Sequence, residues 1–266
     1  RALILERDRI LLGEAFTAKG IRWLFFKGVL CDALWWGGQG MRGATDIDIL
    51  IPRSAEKVAT AILADLGYER RRSPTHPATE DAAKERLFHH PDSFSHFPVD
   101  LHLGLLNDPP YLDPAEQVFQ RAVVYKTVVG PICGPSREDM LLLAAGNLGQ
   151  SCFAERYKLA LDSACLFLRE SLDLNLVVTR AVQWRVTIPL WGLLRLIEER
   201  LRVSMPDWLL NRVAPPPPLR AMVERVAGVR TLPWHPESGS GLVLAGWPLS
   251  GRIFWPLIAA WRWARL

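Results

Sequence analysis

The chain predicts an α+β protein, a small mixed sheet with flanking helices followed by an all-α domain. Three observations carry this. Strand-like and helix-like runs alternate up to residue 135, and from Ser136 onward only helical patterns follow. Inside the first part, Asp46-Ile47-Asp48-Ile49-Leu50-Ile51 sets two carboxylates one residue apart in an apolar strand. The expected division is therefore a sheet domain over 1–135 and a helical domain over 136–266, the latter with a proline-rich segment and a Trp-rich tail.

The elements follow in order. Residues 2–19 predict an amphipathic helix with Leu3, Ile4, Ile10, Leu11, Leu12 and Phe16 on its apolar side, ended by Gly20. The run 22–26 is an apolar strand, and Lys27-Gly28 turns it into a short helix from Val29 to Trp36. Gly37-Gly38-Gln39-Gly40 then makes a loop before the Asp46–Asp48 strand. Ser54 is placed to cap a helix over 55–66 with Val58, Ile62, Leu63 and Leu66 inward, and Gly67 closes it. Residues 68–72 form a strand that ends in Arg70-Arg71-Arg72, and 73–95 form a loop or strand pair.

His96-Phe97-Pro98-Val99-Asp100-Leu101-His102-Leu103 is a further strand bearing a single acid. Asn107-Asp108-Pro109-Pro110 turns the chain. The β-branched run 123–129 is a strand ended by Gly130-Pro131. Helices follow over 137–149, 154–170, 175–186 and 189–202, the first with Glu138 and Asp139 in its opening turn, where the dipole favours them. Pro215-Pro216-Pro217-Pro218 is a stiff spacer.

At 266 residues and 49% apolar content, the chain is long enough and apolar enough to bury a sizeable core. The net charge of +4 carries no long basic run, so nucleic acid is not indicated as a partner. Four cysteines without a Cys-x-x-Cys pair point to neither a zinc knuckle nor a redox motif. Cys31 and Cys165 read as core thiols, and a cytoplasmic setting is expected. The tail 241–266 is broken by Pro248, Arg252 and Pro256, so it gives no transmembrane span of about 20 apolar residues.

Strand residues i and i+2 share a face, so Asp46 and Asp48 project together while Ile47 and Ile49 enter a core. Adjacent like charges repel unless a cation sits between them. A hard divalent ion, Mg²⁺ or Mn²⁺, is the natural occupant. Asp100, flanked by Val99 and Leu101 on the opposite face, supplies a third carboxylate. His102 follows two residues later on the same face. A glycine at a helix start lets backbone N–H groups approach phosphate, and Lys27 adds a point charge. Arg42, four residues before Asp46, is placed to reach a phosphate or brace Asp46.

This order of Lys-Gly turn, helix, glycine loop, Arg-x-x-x-Asp-Ile-Asp-Ile-Leu and a later single-Asp strand resembles the nucleotidyltransferase fold of the DNA-polymerase-β superfamily. More narrowly, it is similar to a family of uncharacterised bacterial nucleotidyltransferases, with residues 22–106 carrying nearly all of the likeness. The resemblance implies that 1–135 is the catalytic domain and that an NMP moves from an NTP, expected to be ATP, to an acceptor. Asp46, Asp48 and Asp100 would be catalytic and metal-binding, with Asp100 also the base for the acceptor hydroxyl. Lys27, Gly28, Arg42 and Lys158 would hold the nucleotide. The acceptor could be a small molecule, a peptide, a protein side chain or an RNA end. Val29 stands where the broad superfamily has a small hydroxyl residue, and Asn147 stands near a position where the family often has histidine.

Three other readings share the motif. An Asp-x-Asp glycosyltransferase would hold Mn²⁺ and a nucleotide-sugar, but wants a longer first half than the residues before Asp48 provide. A haloacid-type phosphatase needs a fully apolar strand before its first Asp, and Gly43-Ala44-Thr45 is a poor match. A non-catalytic nucleotide-binding partner protein would not need all three acids.

Overall fold

A computed structural model describes residues 1–71, 84–106, 110–151, 153 and 156–227, with Arg156 described by its backbone alone. Arg72, Asn107-Asp108-Pro109, Cys152 and the 241–266 tail lie outside the described residues, as does most of the stretch read as a loop or strand pair. The chain divides into two compact units. One comprises Arg1–Leu105 and Pro114–Ser136; the other takes Leu106–Asp113 and the residues from Arg137 onward. Among the described residues, no helix is long and apolar enough to cross a membrane.

The first unit opens with α1 (Ala2–Ala18), whose buried face is Leu5, Asp8, Arg9, Leu12, Gly13 and Phe16. This corrects the expected stripe, for Leu3, Ile10 and Leu11 are exposed. The helix turns a charged pair inward because Asp8 accepts from the Phe97 backbone and from Arg7, while Arg9 pairs with Glu6 and donates to Val129 O. Strand β1 (Leu24–Phe25) leads through Lys27 into α2 (Gly28–Trp35). After β2 (Ile47–Leu50), a 3₁₀ turn at Arg53–Ala55 precedes α3 (Glu56–Asp65). Ser54 therefore lies within that turn and does not cap α3, which has no side-chain cap. Ile62 and Leu63 of α3 are buried, whereas Val58 faces solvent.

Strands β3 (Glu69–Arg71), β4 (Glu85–His89) and β5 (Val99–His102) complete a five-stranded mixed sheet of order β1-β2-β5-β4-β3. Only β2 and β5 run parallel. Their register sets Ile47 beside Val99 and Ile49 beside Leu101, all four fully buried on one face. The same register sets Asp48 beside Asp100 on the other.

Helix α4 (Ala115–Gln120) precedes a separate hairpin of β6 (Val123–Thr127) and β7 (Gly130–Gly134). Gly130 thus begins a partner strand instead of only ending one, and its φ of +96° is the turn geometry glycine permits.

Among its described residues the second unit is helical: α5 (Arg137–Gln150), α6 (Arg156–Arg169), α7 (Leu174–Trp184), α8 (Thr187–Leu201), α9 (Asp207–Val213) and α10 (Pro217–Ala227). Its core is built from Leu141, Leu142, Ala145 and Leu148 of α5, Val177 and Trp184 of α7, and Leu190, Leu193 and Ile197 of α8. Asp173 caps α7 through the Asn175 and Leu176 N–H groups, and the buried Asp139 carboxylate is paired with Arg180 at 3.0 Å. Tyr111 is fully buried here, and the Leu112 N–H donates to Trp184 O. Those contacts place Tyr111 and Leu112 with the helices. The proline run is not a free spacer, since α10 begins at Pro217, a position where a missing N–H costs nothing.

Candidate active site

The site grows from one strand end and one elbow. Asp48 is fixed beside the central strand of the sheet by the β2–β5 ladder, and its side chain is about 5% exposed. Burying a carboxylate is costly unless it is paired and hydrogen-bonded. Here Lys27 Nζ lies 2.8 Å from Asp48 Oδ1 and His102 Nε2 lies 2.9 Å from the same oxygen. Burial pushes the Asp48 carboxyl up, but the Lys27 ammonium and the His102 ring outweigh it and hold it at about 2. Burial likewise opposes the charge on Lys27, yet Asp48 raises its pKa above the usual lysine value.

Asp100 has the opposite fate. Burial comes first, then the charges of Asp48, Asp46 and Glu85, and together they push its carboxyl up to about 7. One acid ionised and its register neighbour reluctant is the signature of carboxylates sharing too little cation. Asp48, Asp100 and His102 each offer a ligand atom within 4.8 Å of the others, so the residues fit a divalent cation.

Asp46 is not on the strand. It stands at a bend immediately before β2, half-buried, because the pairing of β2 with β5 starts only at Ile47. It still lies near enough for its charge to raise both Asp100 and Lys27.

The elbow is built around Lys27. At φ +52° and ψ −126° its backbone occupies a region that glycine tolerates and other residues rarely adopt. The turn reverses the chain from β1 into α2 and leaves the Gly28 end of the helix facing Arg42. A Cβ on Gly28 would lie 3.0 Å from Arg42 Nη1 and 3.3 Å from the Ala44 Cβ. Arg42 is carried there by Asp32, a buried residue of α2 whose carboxylate accepts from the Gly40 N–H at 2.9 Å and the Arg42 N–H at 3.1 Å. Two cationic side chains and a glycine helix start therefore meet beside the acids, an arrangement suited to phosphate.

Sequence reasoning missed two residues of this site. Asp32 reads as an ordinary helix acid, and only loop closure reveals its work. Glu85 of β4 is the Cα partner of His102, and its Oε2 is 3.6 Å from His102 Nδ1. That length is a charge contact beyond hydrogen bonding, and Nδ1 has no hydrogen-bond partner among the described residues. Lys158 stands half-buried on α6 of the second unit, and Asn147 on α5 accepts from Gln150 Nε2.

The model of a family described as uncharacterised nucleotidyltransferase matches residues 1–202. No curated protein matches the chain. The solution structure of the antibiotic-resistance factor ANT(2'')-Ia is similar over 62% of this chain and 92% of that one, at 13% identity and a TM-score of 0.42.

Proposed function

This chain belongs to the uncharacterised nucleotidyltransferase family, and we propose that it moves an NMP unit from an NTP to an acceptor in a metal-dependent reaction at Asp46, Asp48 and Asp100. The observation that carries this reading is the register pair Asp48–Asp100, with Lys27 2.8 Å from Asp48. Asp46, Asp48 and Asp100 would hold a divalent cation, Mg²⁺ or Mn²⁺, which would supply neutralising charge for the α-phosphate and the pyrophosphate leaving group. Lys27, Gly28 and Arg42 bind and orient the β- and γ-phosphates. ATP is the expected nucleotide.

Asp100 takes the proton of the acceptor group. A carboxyl pushed up to about 7 by burial and neighbouring acids is better matched to that task than one held near 2. The acceptor is assigned to a small molecule, a peptide or a protein side chain, since the first unit offers no long basic run for nucleic acid. Four cysteines without a Cys-x-x-Cys pair fit a reducing, cytoplasmic setting.

The test is transfer of labelled α-phosphate from NTP with release of pyrophosphate, screened over acceptors. Consumption of a nucleotide-sugar with release of a nucleoside diphosphate would favour a glycosyltransferase. Release of inorganic phosphate through a covalent Asp46 intermediate would favour a phosphatase. Nucleotide binding without turnover would favour a partner protein.

A further inference from the structure

His102 is 1% exposed and lies between two carboxylates. A carboxylate only accepts, so in a neutral ring 2.9 Å from Asp48 Oδ1 the hydrogen sits on Nε2, which donates to that oxygen. The consequence falls on the other nitrogen. Nδ1 then presents a lone pair toward Glu85 Oε2, 3.6 Å away, and finds no hydrogen-bond donor among the described residues. A buried acceptor facing another acceptor is an unfavourable pairing that the cross-strand register Glu85–His102 nevertheless holds in place.

The other tautomer resolves it. With the hydrogen on Nδ1, that N–H points at Glu85 and Nε2 offers its lone pair toward the ligand atoms of Asp48 and Asp100. The three lie within 4.8 Å of one another. A metal-bound histidine almost always donates its second N–H to a carboxylate or carbonyl, which fixes the tautomer. Glu85 is positioned to be that carboxylate.

We propose that His102 is a metal ligand through Nε2, oriented by Glu85, so that an imidazole joins the carboxylates in holding the cation. The inference rests on the metal-dependent reading above. An imidazole in the set shifts preference from Mg²⁺, which favours oxygen, toward a first-row transition dication such as Mn²⁺. Glu85 is the positioning residue; it acts through His102 and need not touch the metal.

The experiment is pulsed electron paramagnetic resonance of Mn²⁺ on the full chain, alone and with an NTP, with unlabelled and ¹⁵N-histidine-labelled protein. The expected spectrum shows nitrogen coupling that changes with the label and disappears in His102→Asn. Glu85→Ala should weaken Mn²⁺ binding about 10- to 100-fold, and Glu85→Gln, which keeps an acceptor oxygen, should restore most of it. The wild-type spectrum decides the ligand even if His102→Asn fails to fold. Mn²⁺ bound with oxygen coupling alone would overturn the histidine ligand while leaving metal dependence standing. Unchanged affinity in Glu85→Ala would overturn the role of Glu85. No Mn²⁺ binding with or without NTP would overturn both this inference and the metal-dependent reading.

Discussion

Lys27 Nζ lies 2.8 Å from Asp48 Oδ1, and it reaches that oxygen from a backbone held at φ +52°. The lysine therefore has two separable attributes, a charge that Asp48 needs and a conformation that a side chain resists.

Substitutions at 27 should separate them. Lys27→Ala leaves the Asp48 carboxylate buried without its main partner, a loss of about 3–5 kcal/mol. Lys27→Gly loses the same charge but relieves the strained backbone, and it should be more stable than Lys27→Ala by about 1 kcal/mol. Denaturant titration of both variants measures this. Because Lys27 is assigned to the β- and γ-phosphates, Lys27→Ala should also weaken NTP binding more than NMP binding. Equal losses in calorimetry would assign the lysine to structure alone.

Stability should depend on pH in two windows of opposite sign. Asp48, lowered from 3.8 to about 2, contributes stability that is present above pH 3.8 and lost as pH falls through 2. Asp100, raised from 3.8 to about 7, keeps its proton in the fold after the unfolded chain has lost it. Its contribution is complete below pH 3.8 and is lost as pH rises toward 7. Mn²⁺ should reverse that second decline, with a stabilisation that grows as pH rises because the cation replaces the proton. Melting temperature against pH, with and without Mn²⁺, checks the sign, and Asp100→Asn should flatten the upper window.

Asp32→Ala should loosen the glycine loop. The Gly40 and Arg42 N–H groups lose their shared acceptor, at about 1–3 kcal/mol for each donor left buried. Arg42 then leaves its place beside Gly28, and KM for NTP should rise. An unchanged KM with reduced stability would show that Arg42 does not depend on the loop for its position.

Much of this site is readable in the chain because its chemistry is local. Asp-x-Asp spacing, the Lys27-Gly28 helix start and the apolar flanks of Asp100 each need only a few neighbouring residues, and α5 to α8 follow from helical periodicity. What escapes are properties of register and closure. The pairing of Glu85 with His102 depends on how β4 aligns with β5, and much of the segment leading into β4 is polar and proline-bearing. The Asp46 bend depends on where the ladder begins. The inward face of α1 is misjudged from hydropathy because Asp8 and Arg9 are buried through long-range partners at Phe97 and Val129.

The most direct test of the central claim is a crystal structure with Mn²⁺ and a non-hydrolysable NTP. The account predicts the cation at Asp48 and Asp100 and the β- and γ-phosphates at Lys27, Gly28 and Arg42. A triphosphate bound away from the Lys27–Gly28 elbow, or a cation that does not touch Asp48, would contradict it.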